Sequence, residues 1–219
     1  MEINNVQSQT GVTLVGGADP RPENIDAALT FAPYLVAADG GANHCLKCGK
    51  LPDAVIGDFD SIDLATQSAL ADSRLIRISE QETTDFEKAL SHINAPFVLA
   101  TGFTTARLDH TLAAFNVLVR QVGPTCLILG EEDVIFSAPK QLVLDIPKGT
   151  RVSLFPLSPI SGKSEGLEWP IDGLELSPNG QIGTSNRANG QVKLQFDNPG
   201  CLILLPRSQL QPSLNALIE

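Results

Sequence analysis

The chain has 219 residues, a formal net charge of −10 and 42% apolar residues. Such a chain forms one large or two small globular domains. Its acidity excludes a general nucleic-acid binder, and no apolar run approaches the roughly 18 residues of a membrane helix. The N-terminus lacks the basic and apolar regions of a signal peptide, so we expect a cytoplasmic protein without nucleic-acid or membrane partners.

The first part of the chain alternates short apolar segments with helical ones. We predict buried strands near residues 12–15, 34–38, 54–56, 75–78, 97–100 and 126–129. We predict helices near residues 23–31, 41–48, 62–71, 84 onward and 108–121. In the last helix Leu112, Phe115 and Val119 share one stripe, which we expect to face the core. Repeated strand–helix units with continuous apolar strands indicate a three-layer α/β domain with a parallel sheet.

The pattern changes beyond about Ser137. Helical periodicity ends, and short strand-like segments alternate with turn signals such as Pro147-Lys148-Gly149 and Asn198-Pro199-Gly200. Turns at this spacing indicate an antiparallel sandwich or barrel. We therefore predict an α/β domain over residues 1–137 and an antiparallel β domain over residues 138–219.

An acidic pair follows the third predicted strand, in Gly57-Asp58-Phe59-Asp60-Ser61. In extended backbone residues i and i+2 face the same way, so we expect Asp58 and Asp60 to point to one side. Two like charges held so close repel each other, and a cation between them relieves the repulsion. The alternative is a solvated acidic turn. Ser61 is a candidate N-cap for a helix that begins near Ile62.

Polar loops also follow the other predicted strands, in Gly16-Gly17, Asp39-Gly40-Gly41, residues 80–85 and residues 101–109. Because the carboxyl ends of parallel strands lie on one edge of a sheet, these loops should converge where α/β proteins bind ligands. Glycines there would let a phosphate approach main-chain amides. Carboxylates from several loops suit a hard cation, and the candidate ligands are Asp58, Asp60, Asp85 and Asp109.

Several of these residues have both a functional and a structural interpretation. Arg107 is a candidate phosphate ligand, because a guanidinium pairs bidentately with phosphate oxygens. Asp109 and His110 open the longest predicted helix, where the helix dipole favours an acidic residue, so a helix-start role is equally open. Thr84 is a predicted N-cap, and that role is compatible with a metal role for Asp85.

Two cysteines have the spacing of a metal-binding pair. Cys45 and Cys48 are separated by two residues, and His44 directly precedes Cys45. A structural zinc site needs four ligands, and Cys126 and Cys201 are single residues in apolar segments. We therefore expect reduced thiols, with the pair on a short helix.

Several segments share their order and spacing with one known family. In the first part they are Ala38-Asp39-Gly40-Gly41-Ala42-Asn43, Pro52-Asp53, Gly57-Asp58-Phe59-Asp60-Ser61, Thr84-Asp85-Phe86-Glu87-Lys88 and Arg107-Leu108-Asp109-His110-Thr111-Leu112. In the second part they are Gly166-Leu167-Glu168-Trp169-Pro170-Ile171 and Gly183-Thr184-Ser185-Asn186. Together they resemble thiamine pyrophosphokinase, over about Leu14 to Leu205.

The resemblance implies an α/β domain followed by a β-sandwich, in a homodimer that holds thiamine between one subunit's α/β domain and the other's sandwich. It implies pyrophosphoryl transfer from ATP to the thiamine hydroxyl, giving thiamine diphosphate and AMP. The implied cofactor is Mg²⁺, held on the triphosphate by Asp58, Asp60 and Asp85, and Asp109 would be a further catalytic residue near the metal or the reacting hydroxyl. The implied substrate-binding residues are Asp39, Gly40, Asn43, Gln81, Thr84, Lys88, Arg107, His110, Ser185 and Asn186.

One segment departs from the family's pattern. The family usually has a Gly-Gly pair before its R-x-D-H motif, whereas this chain has Phe103-Thr104-Thr105-Ala106. We expect the hydroxyls of Thr104 and Thr105 to replace amide contacts to phosphate. Trp169 is a candidate for stacking on a ring, and a core position is its alternative.

Two other functions fit the acidic loops. One is another diphosphokinase, for example one that acts on a hydroxymethyl pterin, and the other is a non-catalytic sensor of thiamine or nucleotide. Four metal-facing carboxylates argue against the sensor, because a pure binder does not need them.

Overall fold

Alternating apolar strands and helices build the first part of the protein, as a computed structural model that describes residues 5–105 and 107–218 shows. The strands are β1 (Val6–Gln7), β2 (Val12–Val15), β3 (Tyr34–Ala38), β4 (Ala54–Gly57), β5 (Arg74–Arg77), β6 (Ile93–Asn94), β7 (Val98–Thr101) and β8 (Cys126–Leu129). The helices are α1 (Pro22–Phe31), α2 (Gly41–Lys47), α3 (Leu64–Ala69), α4 (Asp85–Ser91) and α5 (Leu108–Arg120).

The main sheet of this part is parallel, in the order β8-β7-β2-β3-β4-β5. The chain moves outward from β2 to β5 and then crosses to β7, on the other side of β2. The strand order therefore reverses between β2 and β7, which is the topological switch point where open α/β sheets bind ligands. A separate short parallel pair joins β1 to β6.

Apolar side chains of the helices cover this sheet. Ile25 of α1 and Ala42 and Cys45 of α2 are fully buried in one cluster with Val15 and Val55 of the strands. Full burial of a valine or isoleucine side chain contributes about 1.5–3 kcal/mol. The order of strands and helices agrees with the sequence-based prediction, and the packed helices explain why the inner strands are mostly apolar, whereas the edge strand β5 carries Arg74 and Arg77.

Four local predictions were wrong, the first being that helices end beyond about Ser137, since a helix spans Leu210–Ile218. Helix α3 is capped by Asp63, whose carboxylate accepts the main-chain N–H of Thr66 at 2.7 Å, and not by Ser61. In α5 the buried residues include Ala114 and Val117, whereas Leu112 is 55% exposed, so the buried stripe lies on a different face from the one expected. Strand β5 is the edge of the sheet, so Leu75 is half-exposed rather than buried.

The second part contains β9 (Asp133–Ser137), β10 (Gln141–Leu144), β11 (Arg151–Pro156), β12 (Gly162–Leu167), β13 (Gly183–Phe196), β14 (Cys201–Pro206) and helix α6 (Leu210–Ile218). Its strands pair antiparallel, as β9-β14-β11-β13 and as β10-β13-β12. The first half of β13 pairs with β11, and its second half lies between β10 and β12. Gly190, at φ 133°, lies between the two halves.

The chain therefore has a mixed α/β fold with two compact units. The first comprises the chain up to Val117 together with Gln121–Gly130, and the second comprises Leu118–Arg120 and the chain from Glu131 on. None of the helices in the described ranges is long and apolar enough to cross a membrane.

Candidate active site

A cavity of about 330 Å³ opens at the carboxyl edge of the parallel sheet. It is surrounded by the residues that follow β2, β3, β4 and β7 and by the first turn of α4, so it lies at the switch point. Of the predicted site residues, those that line it are Asp39, Gly40, Asn43, Thr84, Asp85, Arg107 and His110. The convergence of these separate segments is the main feature that the strand-end argument predicted.

Asp39 holds the loop that contains Asp58 and Asp60 in place through hydrogen bonds to its main chain. It is 1% exposed, directly follows β3 and has a φ of 43°, a left-handed conformation that aspartate tolerates better than most residues. One carboxylate oxygen accepts the N–H of Phe59 at 2.9 Å, and the other accepts the N–H of Ser61 at 3.3 Å. Asn43 adds a second brace, because its amide donates to the carbonyl of Ser61 at 2.8 Å. The main chain around Asp60 is therefore held by two side chains from neighbouring segments.

Asp58 and Asp60 converge through a turn and not through extended backbone. Phe59 between them has a φ of 71°, a left-handed conformation that costs on the order of 1–3 kcal/mol for a bulky residue. The N–H of Asp60 donates to the Asp58 carboxylate at 3.3 Å, which closes the turn. Arg77 holds the other side, because its guanidinium donates to the Asp58 carbonyl at 3.2 Å and lies 5.5 Å from the centre of the Phe59 ring. The prediction that the two carboxylates come close together was right, whereas the prediction of extended backbone between them was wrong.

The acidic group that could hold a metal differs from the predicted set. Among the described residues, Asp39, Asp58 and Asp60 each offer an oxygen within 4.8 Å of the others, and Asp85 is not in this group. Three carboxylates are the hard oxygen donors that Mg²⁺ prefers, so the donor chemistry fits such an ion. Both oxygens of Asp39 already accept main-chain N–H groups, whereas Asp60 is exposed.

Asp85 lines the cavity from the first turn of α4, and Lys88 lies buried one turn further along the same helix. Partial burial raises the pKa of Asp85, and the nearby charge of Asp39 adds to the shift. The ammonium of Lys88, whose side chain is 2% exposed, lies 3.9 Å from carboxylate oxygens of both Asp58 and Asp85. Lys88 therefore supplies a buried positive charge between two of the predicted metal ligands.

Two further predicted residues support this part of the site. Gln81 donates its amide N–H to the Asp58 carboxylate at 2.7 Å, and this bond is the main reason why the pKa of Asp58 is below its usual range. Thr84 accepts the N–H of Glu87 at 3.3 Å, so its predicted role as the N-cap of α4 is confirmed.

The glycines of the site serve packing more than phosphate binding. A Cβ on Gly41 would lie 2.0 Å from the carbonyl oxygen of Val15, so this glycine lets α2 approach β2. The amides of Gly16 and Ala18 already donate to the carbonyls of Thr101 and Gly102, at 2.8 and 2.9 Å. The expectation that glycine amides after β2 are open to phosphate was wrong for Gly16, because its N–H already donates to the neighbouring segment.

Two family models match this chain. Residues 25–128 match "Thiamin pyrophosphokinase, catalytic domain", and residues 137–201 match "Thiamin pyrophosphokinase, vitamin B1 binding domain". The chain belongs to the thiamin pyrophosphokinase family. The first model contains the acidic loop and every residue that lines the cavity except Gly17 and Ala18.

Named relatives and solved structures agree with this family. "Thiamine pyrophosphokinase 1" of Oryza sativa subsp. japonica is 29% identical over 197 residues, which cover 71% of this chain and 75% of the relative. "Thiamine pyrophosphokinase 2" of Arabidopsis thaliana is 27% identical over 195 residues, covering 74% and 73%. The structure of yeast thiamin pyrophosphokinase has a TM-score of 0.78 at 18% identity and covers 95% of this chain and 90% of its own. That of the Candida albicans protein has a TM-score of 0.75 at 18% identity, covering 93% and 94%. The structural likeness supports the fold.

Two residues of the family's R-x-D-H motif, Arg107 and Asp109, form an ion pair with each other in this protein. The guanidinium of Arg107 donates to both carboxylate oxygens of Asp109, at 3.1 and 2.6 Å, which lowers the pKa of Asp109. Arg107 and His110 line the cavity, but Asp109 does not. Both members of the pair are about two-thirds exposed, so solvent screens the interaction and the pair opens easily.

The segment that departs from the family lies beside the cavity. The hydroxyl of Thr105 donates to the carbonyl of Ala18, so it is not free to replace an amide contact to phosphate, as we had expected. Thr104 is partly exposed and stays a candidate.

The predicted residues of the second unit form a separate arrangement, within the part that matches the vitamin B1 binding model. Asn186 is buried, accepts the N–H of Trp169 at 3.1 Å and donates to its carbonyl at 2.7 Å. Ser185 is exposed and has a φ of 62°. Trp169 is 53% exposed, so its ring is not a core residue of this unit.

Some cavity residues were missed in the sequence analysis. The residues that line the cavity but were given no binding role are Ala18, Ala38, His44, Ser61 and Phe86, whereas Gly17, Gly102 and Phe103 lie in loops that were predicted to reach the site. His44 lies one helical turn beyond Gly40, and Phe86 follows Asp85 directly, so proximity to predicted site residues was the available signal. His44 places its two ring nitrogens 3.3 Å from the Asp19 carboxylate and 3.3 Å from the Gly17 carbonyl oxygen.

Cys45 lies on α2, as expected, whereas Cys48 is the C-cap residue just after the helix, and only Cys45 reaches the core. Burial raises the pKa of the Cys45 thiol to about 12, and Cys48 is partly exposed. Metal binding needs the thiolate, so burial works against a metal role for Cys45.

Proposed function

We propose that this protein transfers a pyrophosphoryl group from ATP to the hydroxyl of thiamine, giving thiamine diphosphate and AMP. The observation that carries the proposal is the acidic group at the switch-point cavity, inside a chain that matches both the catalytic and the vitamin B1 binding models of one family. The carboxylates alone would suit many phosphoryl-transfer enzymes, and the second match specifies the acceptor.

We propose Mg²⁺ as the cofactor, with Asp58 and Asp60 as its principal ligands and Asp85 as the third. Bound there, Mg²⁺ would offset the negative charge of the triphosphate. Asp39 contributes mainly by fixing the main chain of the loop, although its carboxylate belongs to the same group. Lys88 balances part of the acidic charge, because its ammonium attracts the carboxylates of both Asp58 and Asp85.

We propose that Arg107 and Asp109 separate when substrates bind. Arg107 then pairs with phosphate oxygens, and Asp109 orients the thiamine hydroxyl. While the pair persists, the lowered pKa makes the Asp109 carboxylate a weak proton acceptor. A strong base is not required, because phosphoryl transfer through a loose transition state depends mainly on positioning and charge neutralisation.

The remaining predicted contacts are proposed as follows. The cavity lining supports nucleotide-binding roles for Gly40, Asn43, Thr84 and His110. Gln81 is proposed to act near thiamine while it holds Asp58, and Ser185 and Asn186 are proposed to border the thiamine pocket, since they lie in the part that matches the vitamin B1 binding model.

We further propose a three-layer α/β domain followed by a β-sandwich, with catalytic function over residues 1–137 and thiamine binding and dimerisation over residues 138–219. The passage of β13 from a pairing with β11 to pairings with β10 and β12 supports the sandwich, although β9, just before residue 138, also pairs in this second unit.

We propose a cytoplasmic homodimer. Dilution to monomer should abolish activity, and an active monomer would refute a thiamine site shared by two subunits.

One assay tests the reaction. The protein is incubated with ATP, Mg²⁺ and thiamine, and the nucleotides are separated by chromatography. Thiamine-dependent AMP supports the proposal. Thiamine-dependent ADP would indicate a monophosphate kinase, AMP formed only with a hydroxymethyl pterin would indicate the other diphosphokinase, and absence of turnover would indicate a sensor.

A further inference from the structure

Phe103 lies at the switch point itself. It follows Gly102, the first residue after β7, and its ring contacts Gly16, the first residue after β2. A Cβ built on Gly16 would lie 2.5 Å from this ring, so glycine at that position makes room for it. The ring is partly exposed and lines the cavity.

The ring is firmly supported from behind. Its centre lies 4.5 Å from the centre of the Phe86 ring, at an interplanar angle of 50°. Phe86 is 3% exposed, so it is held by the core and cannot move away. Gly102 has a φ of 79°, and the Thr105 hydroxyl ties the same segment to the loop after β2. A side chain fixed in this way loses little conformational entropy when a ligand packs on it.

We propose that Phe103 contacts the nucleobase of the bound nucleoside triphosphate and packs against its flat face. The inference rests on the proposed function, for which it names the residue that recognises the base. The polar and acidic side of the cavity, which includes Asp39 and Asp85, suits the metal and phosphate end of the ligand. Phe103, packed on the buried ring of Phe86, presents an apolar aromatic surface in the same cavity, which suits a planar ring.

The position of the ring favours the nucleotide over thiamine as its partner. Phe103 lies between the ends of β2 and β7, where the strand order reverses, and nucleotides bind at that point in open α/β sheets. Removal of an aromatic ring that stacks on a base commonly weakens binding by roughly tenfold to a hundredfold.

The test compares a ligand that has a base with one that lacks it. Binding of ADP and of inorganic tripolyphosphate, each with Mg²⁺, is measured by calorimetry for the parent protein and for Phe103→Ala, Phe103→Leu and Phe103→Tyr. We expect Phe103→Ala to weaken ADP binding about tenfold or more and to leave tripolyphosphate binding unchanged. Phe103→Leu, which keeps the apolar volume and protects against loss of folding, should be intermediate, and Phe103→Tyr should resemble the parent. Phe31→Leu is the matched control, because Phe31 is a partly buried phenylalanine of the same unit outside the cavity lining.

Three other results at Phe103 would overturn the inference. Equal losses for ADP and tripolyphosphate would show that Phe103 only shapes the loop, and unchanged ADP binding would show that it does not contact the base. A raised KM for thiamine with unchanged ADP binding would assign the ring to the acceptor. Because binding is measured without turnover, a protein that binds ADP through Phe103 but forms no thiamine diphosphate would refute the proposed function and leave this inference standing.

Discussion

Replacement of Asp39 by asparagine tests whether this residue acts by fixing the acidic loop. Asparagine keeps the size of the side chain and tolerates the left-handed backbone at φ 43°. It has one acceptor oxygen, so its NH₂ group must face one of the two N–H donors, of Phe59 or Ser61, that the carboxylate now accepts.

The expected loss follows from those bonds. A hydrogen bond to a charged acceptor contributes about 1.5–3 kcal/mol, and the longer of the two, at 3.3 Å, is the weaker. Removal of one charge from the acidic group recovers part of the loss. We therefore expect the free energy of unfolding to fall by about 2 kcal/mol, which corresponds to a fall of roughly 4–8 °C in Tm. Displacement of Asp58 and Asp60 by even about 1 Å should lower kcat by about ten- to a hundredfold and raise the Mg²⁺ concentration needed for half-maximal activity.

Asp53→Asn is the matched control. The Asp53 carboxylate accepts the N–H of Leu35 at 2.7 Å, so it makes the same kind of bond between neighbouring strands, away from the cavity. We expect this variant to lose about 1 kcal/mol of stability and to keep its kcat and its Mg²⁺ requirement. The reasoning is refuted if Asp39→Asn keeps the parental kcat and Mg²⁺ requirement, or if Asp53→Asn loses as much activity.

Other variants test the charges of the site. Asp60→Asn should lower AMP formation at least about a hundredfold with little change in Tm, as expected for lost charge stabilisation, and AMP formation near the parental rate would contradict its metal role. Because the pKa of Asp85 is raised, the folded protein favours its protonated carboxyl over its carboxylate. The stability that the protonated carboxyl contributes is complete below the ordinary aspartate pKa of about 3.9, and it is lost as pH rises through the raised value. In metal-free buffer Asp85→Asn should therefore melt about 1 °C above the parent at pH 7, since solvent screening keeps the effect to a few tenths of a kcal/mol, and should lose this advantage at about pH 4. An equal difference in Tm at both pH values would show that charge crowding at Asp85 is not its cause.

Local patterns were sufficient for much of the fold. Strand and helix positions followed from apolar periodicity, and Thr84 was recognised as a cap because its motif is contiguous. The choice of Asp63 over Ser61 as the cap of α3 was missed, because both residues precede the helix and only the actual backbone path decides which side chain reaches Thr66.

Exposure was predicted less well than secondary structure. Several stripes of α5 contain apolar residues, and periodicity alone does not say which one meets the sheet. The structure buries Ala114 and Val117 and leaves Leu112 exposed, since helix orientation depends on packing between elements that are distant in sequence.

By itself, the sequence determined that acidic loops follow successive parallel strands and therefore share one edge of a sheet. That conclusion needs only strand periodicity and the rule that parallel strands end on the same side. Only the tertiary structure decided which carboxylates come within ligand distance of one another. It selected Asp39 with Asp58 and Asp60, because the N–H groups of Phe59 and Ser61 hold the Asp39 carboxylate beneath a left-handed turn, and Asp85 faces them from a separate helix. Hydrogen bonds between residues some twenty positions apart leave no periodic signal in a single sequence, so they had to be seen in three dimensions.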